Sequence, residues 1–377
     1  VPARKAADIL IVVDNSGSMA EEQARLRDNF FNLDATQCPL TDLAHIQAEY
    51  ENPAPALYEG DGPLAKCGFI QLLAAFDNDF HVGVITTDVG LFDNRTQTAP
   101  DGFGAHPQRG CLQPDADGRK VIGAGDVDDD DAANDDLAQR FADVLANIQT
   151  FGSPYERGLD AMHVFLDPSS SRAPGCAGDL AAFRRDDAAL SVIFLSDEND
   201  CSRDLLDGAA PFDELANEPK APGFYNLNAA VSPDGAARCY SDIDALAPVS
   251  RYATFLKAVA PGAKVITIAG MVPDASSSSG FTAEGCLAGD PPSSTCFASL
   301  GNSNFTQSGA VCSAEETAAR GGLPCCTADD GSRYLDFASS FQSQDAKDFL
   351  ADSICSDRFR DTMIQAAAFI GSQRFVN

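Results

Sequence analysis

Three clusters of oxygen-bearing side chains in this chain could hold a hard cation. The first is Asp14-Asn15-Ser16-Gly17-Ser18, in which Asp14, Ser16 and Ser18 recur at every second position. The second is Gly152-Ser153-Pro154-Tyr155-Glu156, and the third is Asp197 with Glu198 and Asp200 beside it. Each offers carboxylate and hydroxyl oxygens, the donors that Mg²⁺, Mn²⁺ and Ca²⁺ prefer, and three loops converging on one point would supply most of an octahedron. Alone, Asp-x-Ser-x-Ser is a weak signal, because a serine-rich turn that merely caps a helix looks the same. Its setting makes the stronger case.

That setting is an alternation of strands and helices. Ile9 to Val13 run without a polar break and are rich in β-branched residues, the pattern of a strand buried on both faces of a parallel sheet. Glu21 and Glu22 follow in the first turn of a helix, at the positive end of its dipole, and Leu26, Phe30 and Leu33 give it one apolar face. Residues 80–87 predict a second strand ending at Asp88, 189–195 a third ending at Ser196-Asp197-Glu198, and 264–269 another. Helices are predicted around Leu137, Phe141, Leu145 and Ile148, around Leu159, Met162 and Leu166, around Tyr252, Phe255, Leu256 and Val259, and from about 357 to 370. The expected fold is α/β: a doubly wound, mostly parallel sheet with helices on both faces. Such sheets bind ligands beyond the carboxyl ends of the strands, where all three clusters fall. Thr87, Asp88, Ser153 and Asp200 are candidates for supporting the ligands from one step back.

Charge and cysteine content narrow the function. The 377 residues carry a formal net charge of −30, so a phosphate backbone or an anionic membrane surface would be repelled. No apolar run approaches the ~18–20 residues that span a bilayer. Twelve cysteines, mostly among Gly, Pro, Ser and Asp, predict disulfides in an exported protein rather than zinc knuckles. The start, Val1-Pro2-Ala3-Arg4-Lys5, has no apolar signal segment, as expected of a mature, trimmed form whose lipid anchor, if any, lay upstream. One domain spanning 1–377 is expected, with disulfide-stapled insertions at 35–68, 89–133, 201–247 and 271–333. Nearness in sequence pairs Cys38 with Cys67, Cys201 with Cys239, and Cys286 with Cys296.

Weaker signals resolve more simply. The acidic run Asp126–Asp136 fails as an EF-hand, because Asp131 replaces the required glycine and Leu137 the bidentate Glu. It reads as a solvated loop, with an additional, looser Ca²⁺ site as the alternative. Asp115-Ala116-Asp117-Gly118 reads as a turn, and His163 as a packed helix residue. His-Glu-x-x-His, Gly-x-Ser-x-Gly, P-loop and Gly-x-Gly-x-x-Gly patterns are all missing from the sequence, so no catalytic residue is assigned. Asp14 as a phosphotransfer nucleophile would want an acid two residues on, where Ser16 stands.

The segments DILIVVDNSGSM, FHVGVITTD and SVIFLSDE resemble a von Willebrand factor type A domain with a metal-ion-dependent adhesion site. The likeness covers about half the chain. Ser-Asp-Glu-x-Asp-Cys-Ser after the later strand resembles exported bacterial members, the myxobacterial gliding-motility adhesins among them. The resemblance implies that Asp14, Ser16 and Ser18 line a divalent cation from the first loop and Asp197 from the last. The family usually offers a threonine hydroxyl from the middle loop. Aligned on Glu156-Arg157-Gly158-Leu159-Asp160-Ala161, this chain places Glu156 there, with Ser153 as the alternative. Three carboxylates would leave a dication near −1, so tight metal binding and weaker carboxylate capture are expected. The expected function is metal-dependent adhesion to a protein or surface ligand, through an acidic group in the family's manner. A structural subunit of an extracellular assembly is the alternative.

Overall fold

The apolar run after Asp8 forms the middle of the sheet. In this computed structural model the described residues are 6–16, 19, 22–23, 68–75, 79–87, 89, 110–123, 135–148, 156–170, 176–202, 246–269, 331–342, 349–354 and 359–371. The chain order is β1 (Ala6–Val13), α1 (Phe69–Ala75), β2 (Asp79–Thr86), β3 (Val121–Gly123), α2 (Asp135–Ile148), α3 (Gly158–Leu166), α4 (Asp179–Phe183), β4 (Ala189–Leu195), α5 (Val249–Val259), β5 (Lys264–Ala269), α6 (Ser332–Ser339), β6 (Phe349–Ser353) and α7 (Phe359–Gly371).

Among the described residues the sheet has six strands in the order β3-β2-β1-β4-β5-β6. All pairings are parallel except β2 with β3, which is antiparallel. The chain winds outward from β1 to β3, then returns to the other side of β1 as β4. The winding therefore reverses between β1 and β4, where a crevice at the carboxyl edge is expected.

Alternation along β1 divides the core. Ala7, Ile9, Ile11 and Val13 pack with α1, α2 and α7 on one face. Leu10 and Val12 pack with α3, α4, α5 and α6 on the other. Every residue from Ile9 to Val13 is fully buried, each contributing roughly 1.5–3 kcal/mol. This burial on both faces explains why β1 reads as an unbroken apolar run. At the opposite, amino edge, the buried Asp8 is held by Arg184 and Arg185, each at 2.9 Å.

The predicted helices at 137–148, 159–166 and 252–259 are α2, α3 and α5. The helix expected after Ser18 and most of the four proposed insertions lie outside the described residues. One part of 89–133 does not stand apart: it supplies β3, whose three residues are too few to show periodicity. Cys111 is bonded to Cys176, 65 residues away, a pair that nearness in sequence does not suggest. Cys201 is also disulfide-bonded, to a partner outside the described residues. Among the described residues no helix is long and apolar enough to cross a membrane.

Candidate metal centre

Backbone hydrogen bonding carries the sheet beyond its strand ends and aligns the loops that follow. Asp14 N–H donates to Leu195 O at 2.8 Å, Thr87 N–H to Val13 O at 3.0 Å, and Ser196 N–H to Ile268 O at 3.1 Å. Asp14, Thr87 and Ser196 thus sit side by side at the carboxyl edge. The middle loop is strapped to the same rim: Arg157 N–H donates to Thr87 O, and Cys201 N–H to Glu156 O at 2.6 Å.

Asp14 is fully buried, yet both its oxygens accept hydrogen bonds. Oδ1 takes the Ser16 N–H at 2.8 Å, and Oδ2 takes the Ser196 hydroxyl at 2.6 Å. Ser196 Oγ also accepts the Glu198 N–H at 3.1 Å, fixing the turn that carries Asp197. Gln23 Nε2 donates to the Asp14 carbonyl, tying the following helix start to the same residue. Burial raises the Asp14 carboxyl above its ordinary range, and the bonds from Ser196 and Ser16 pull against that rise.

Glu156 faces Asp14. The Thr87 hydroxyl donates to its Oε2, while Oε1, fully buried, meets no hydrogen-bond donor among the described residues. Burial, followed by the charges of Asp14 and Glu198, holds the Glu156 carboxyl well above the usual carboxylate range. Two facing buried carboxylates can be accommodated by a shared proton or by a cation between them. The donor set fits a hard divalent cation: oxygens only, two carboxylates in contact, and one oxygen left without a donor.

The sequence candidates fall as follows. Asp14, Ser16 and Glu156 are brought together, with Thr87 behind Glu156. Asp197 is 2% exposed in the turn after β4. Ser18, Ser153 and Asp88 lie outside the described residues, as does most of the acidic run 126–136. Asp200 spends its oxygens on the fold: Oδ1 accepts Leu159 N–H at 3.1 Å and the Ser202 hydroxyl at 2.6 Å, and Oδ2 accepts Arg333 Nε at 3.2 Å. It anchors the start of α3, two residues beyond Glu156, against α6.

Two neighbours escaped the sequence reading. Ser196 supplies the hydroxyl on Asp14, and only the pairing of β1 with β4 brings them together. Tyr334 of α6 packs against Gly158, where any Cβ would collide with its phenol. Its hydroxyl is buried without a hydrogen-bond partner among the described residues. Burial and the charges of Asp200, Glu156 and Asp14 push that phenol well above its ordinary range. No local pattern signals Tyr334, which follows the segment 271–333.

Other expectations meet simpler structures. Asp115 accepts Asp117 N–H and Arg119 N–H and pairs with Arg140, the arrangement of a turn. His163 stacks 4.1 Å from Phe255 as a packed helix residue. Cys111, Cys176 and Asp179 also cluster, but the sulfurs are joined to each other and Asp179 pairs with Lys120 at 2.9 Å. That cluster holds no free thiolate for a metal. No protein-family model and no curated protein matches the chain.

Proposed function

We propose that this chain is a secreted or cell-surface binding protein of the von Willebrand factor A type, which recognises a macromolecular partner or surface through a divalent cation. The observation that carries the proposal is the interacting pair Asp14 and Glu156, fully buried at the winding reversal with Glu156 Oε1 left without a donor among the described residues. Export is supported by the cysteine content and by the Cys111–Cys176 disulfide.

Asp14, Ser16 and Glu156 would hold the cation, with Ser18 and Asp197 completing the set that the resemblance implies. Ser196 and Thr87 fix the two carboxylates so that little reorganisation accompanies binding. When bound, the cation supplies a Lewis-acid centre with a coordination position for a partner's oxygen.

Burial of the pair favours one other reading, a cation that only stiffens a subunit of an extracellular assembly. Chelation separates the two. For adhesion, EDTA or Asp14→Ala abolishes retention on the native surface while the thermal transition persists. For a structural cation, the transition collapses and binding by the folded fraction is unchanged. Mn²⁺ titration by calorimetry tests the cation itself, and no saturable binding would sink both readings.

A further inference from the structure

Resting on the metal reading above, the electrostatics at the rim bear on what the cation can accept. The first loop contributes the Asp14 carboxylate and the middle loop that of Glu156, both without solvent exposure. Once a dication displaces the proton from this pair, the two carboxylates alone cancel its charge. Asp197 adds a third, 2% exposed, on the adjacent turn. Glu198 acts on Glu156 as a further negative neighbour. Among the described residues no cationic side chain takes part in the hydrogen bonds and ion pairs of Asp14 and Glu156. Two described arginines of the adjoining segments are paired with other carboxylates: Arg157 binds Asp160 at 2.7 Å, and Arg333 binds Asp200 at 3.2 Å.

We infer that the open position of this site takes an uncharged oxygen donor, a sugar hydroxyl or an amide carbonyl, and rejects a carboxylate. A carboxylate arriving at a centre already neutral or negative meets like charge in a poorly screened interior. An uncharged oxygen needs only the residual field of the ion. Glu156 is the residue that sets this selectivity, because a neutral side chain there would return one unit of positive charge to the centre. Thr87 is a positioning residue: its hydroxyl occupies Oε2 and leaves Oε1 buried with no hydrogen-bond partner among the described residues.

The test uses the full chain loaded with Mn²⁺, reading loss of inner-shell water from solvent proton relaxation. Acetate, methyl mannoside and N-methylacetamide are the probes, and free Mn²⁺ is counted separately by electron paramagnetic resonance. In the wild type, mannoside or acetamide displaces water at a lower concentration than acetate, and whichever acts first identifies the donor. Glu156→Thr and the isosteric Glu156→Gln weaken Mn²⁺ binding and strengthen acetate capture, each by about tenfold or more. Acetate binding tighter than both neutral probes in the wild type overturns the inference, as does unchanged acetate affinity in a folded Glu156→Gln protein. If the wild type binds no Mn²⁺, the metal reading itself fails, a distinct outcome that overturns the inference with it.

Discussion

The Thr87 hydroxyl donates to Oε2 of Glu156, so a residue at the end of β2 sets the orientation of a carboxylate on the loop before α3. The two positions are 69 apart in sequence. A side chain that orients a ligand without touching the ion acts through geometry, and such partners matter nearly as much as ligands.

Thr87→Val keeps the shape of the side chain and removes the donor. We expect Mn²⁺ affinity to fall about tenfold, with Thr87→Ser close to wild type. Isothermal titration measures both. Equal affinity in the valine and wild-type proteins would show that Glu156 is held by something else.

Protonation of the pair links stability to pH. Glu156 is raised well above its ordinary 4.5 and Asp14 above its ordinary 3.8, so the metal-free fold binds these protons more tightly than the unfolded chain does. Stability from this source is complete below the unfolded pKa values and is lost as pH rises toward the folded ones. With EDTA present, the melting temperature of wild type relative to Glu156→Gln should fall with rising pH. Saturating Mn²⁺ should close that gap progressively at higher pH. A difference that does not vary with pH would show that the carboxyls carry no linked proton.

The amino edge offers a contrast. Asp8 is fully buried and accepts Arg185 N–H at 2.8 Å besides its pairs with Arg184 and Arg185. Asp8→Ala leaves Arg184 without its anion, while Arg185 keeps Asp79 at 2.8 Å, and with both guanidinium groups part-exposed the change should cost about 2–3 kcal/mol in urea unfolding. Asp8 and Asp14 stand six residues apart along the chain, roughly 20 Å at the rise of a strand. Mn²⁺ affinity of the folded variant should therefore match wild type. A change in affinity would mean that the two edges are coupled.

Asp336 gives a second pH signature of the same sign. Burial pushes its carboxyl up to about 6, against the pull of Arg333, and its Oδ1 has no hydrogen-bond partner among the described residues. The fold is penalised as pH rises from the ordinary 3.8 through about 6. Asp336→Asn should stabilise the protein by roughly 1 kcal/mol at neutral pH, allowing for solvent screening, and by nothing near pH 4. An equal gain at both values would remove titration as the cause.

Which of these features can be read from the chain depends on how local their causes are. β1, β4 and β5 are legible because burial on both faces forces continuous apolar runs, and the turn residues that end β1 and β4 mark the rim. Glu156 is a candidate through the family resemblance, aligned on the segment that forms α3, and not through a local pattern. β3 and α4 are too short for periodicity, and Asp352 and Ser353 interrupt the apolar pattern of β6. The Ser196–Asp14 contact, the Thr87–Glu156 bond, the Cys111–Cys176 pair and the Tyr334 phenol arise from tertiary proximity across 65 or more residues. Sequence spacing carries no trace of them.

Asp200 joins stability to site geometry at the rim. One carboxylate anchors the N–H of Leu159, the hydroxyl of Ser202 and the guanidinium of Arg333, which in turn donates to Ala247 O at 2.9 Å. Asp200→Ala removes the anion from a buried arginine and frees the start of α3, a change that should cost about 3–5 kcal/mol. The helix start also positions Glu156, whose carbonyl accepts from Cys201, the neighbour of Asp200. The folded variant should therefore bind Mn²⁺ several-fold more weakly. Asp200→Asn retains an acceptor for Leu159 and should fall between the two in stability and in affinity. A folded Asp200→Ala protein with wild-type Mn²⁺ affinity would show that Glu156 keeps its place without α3.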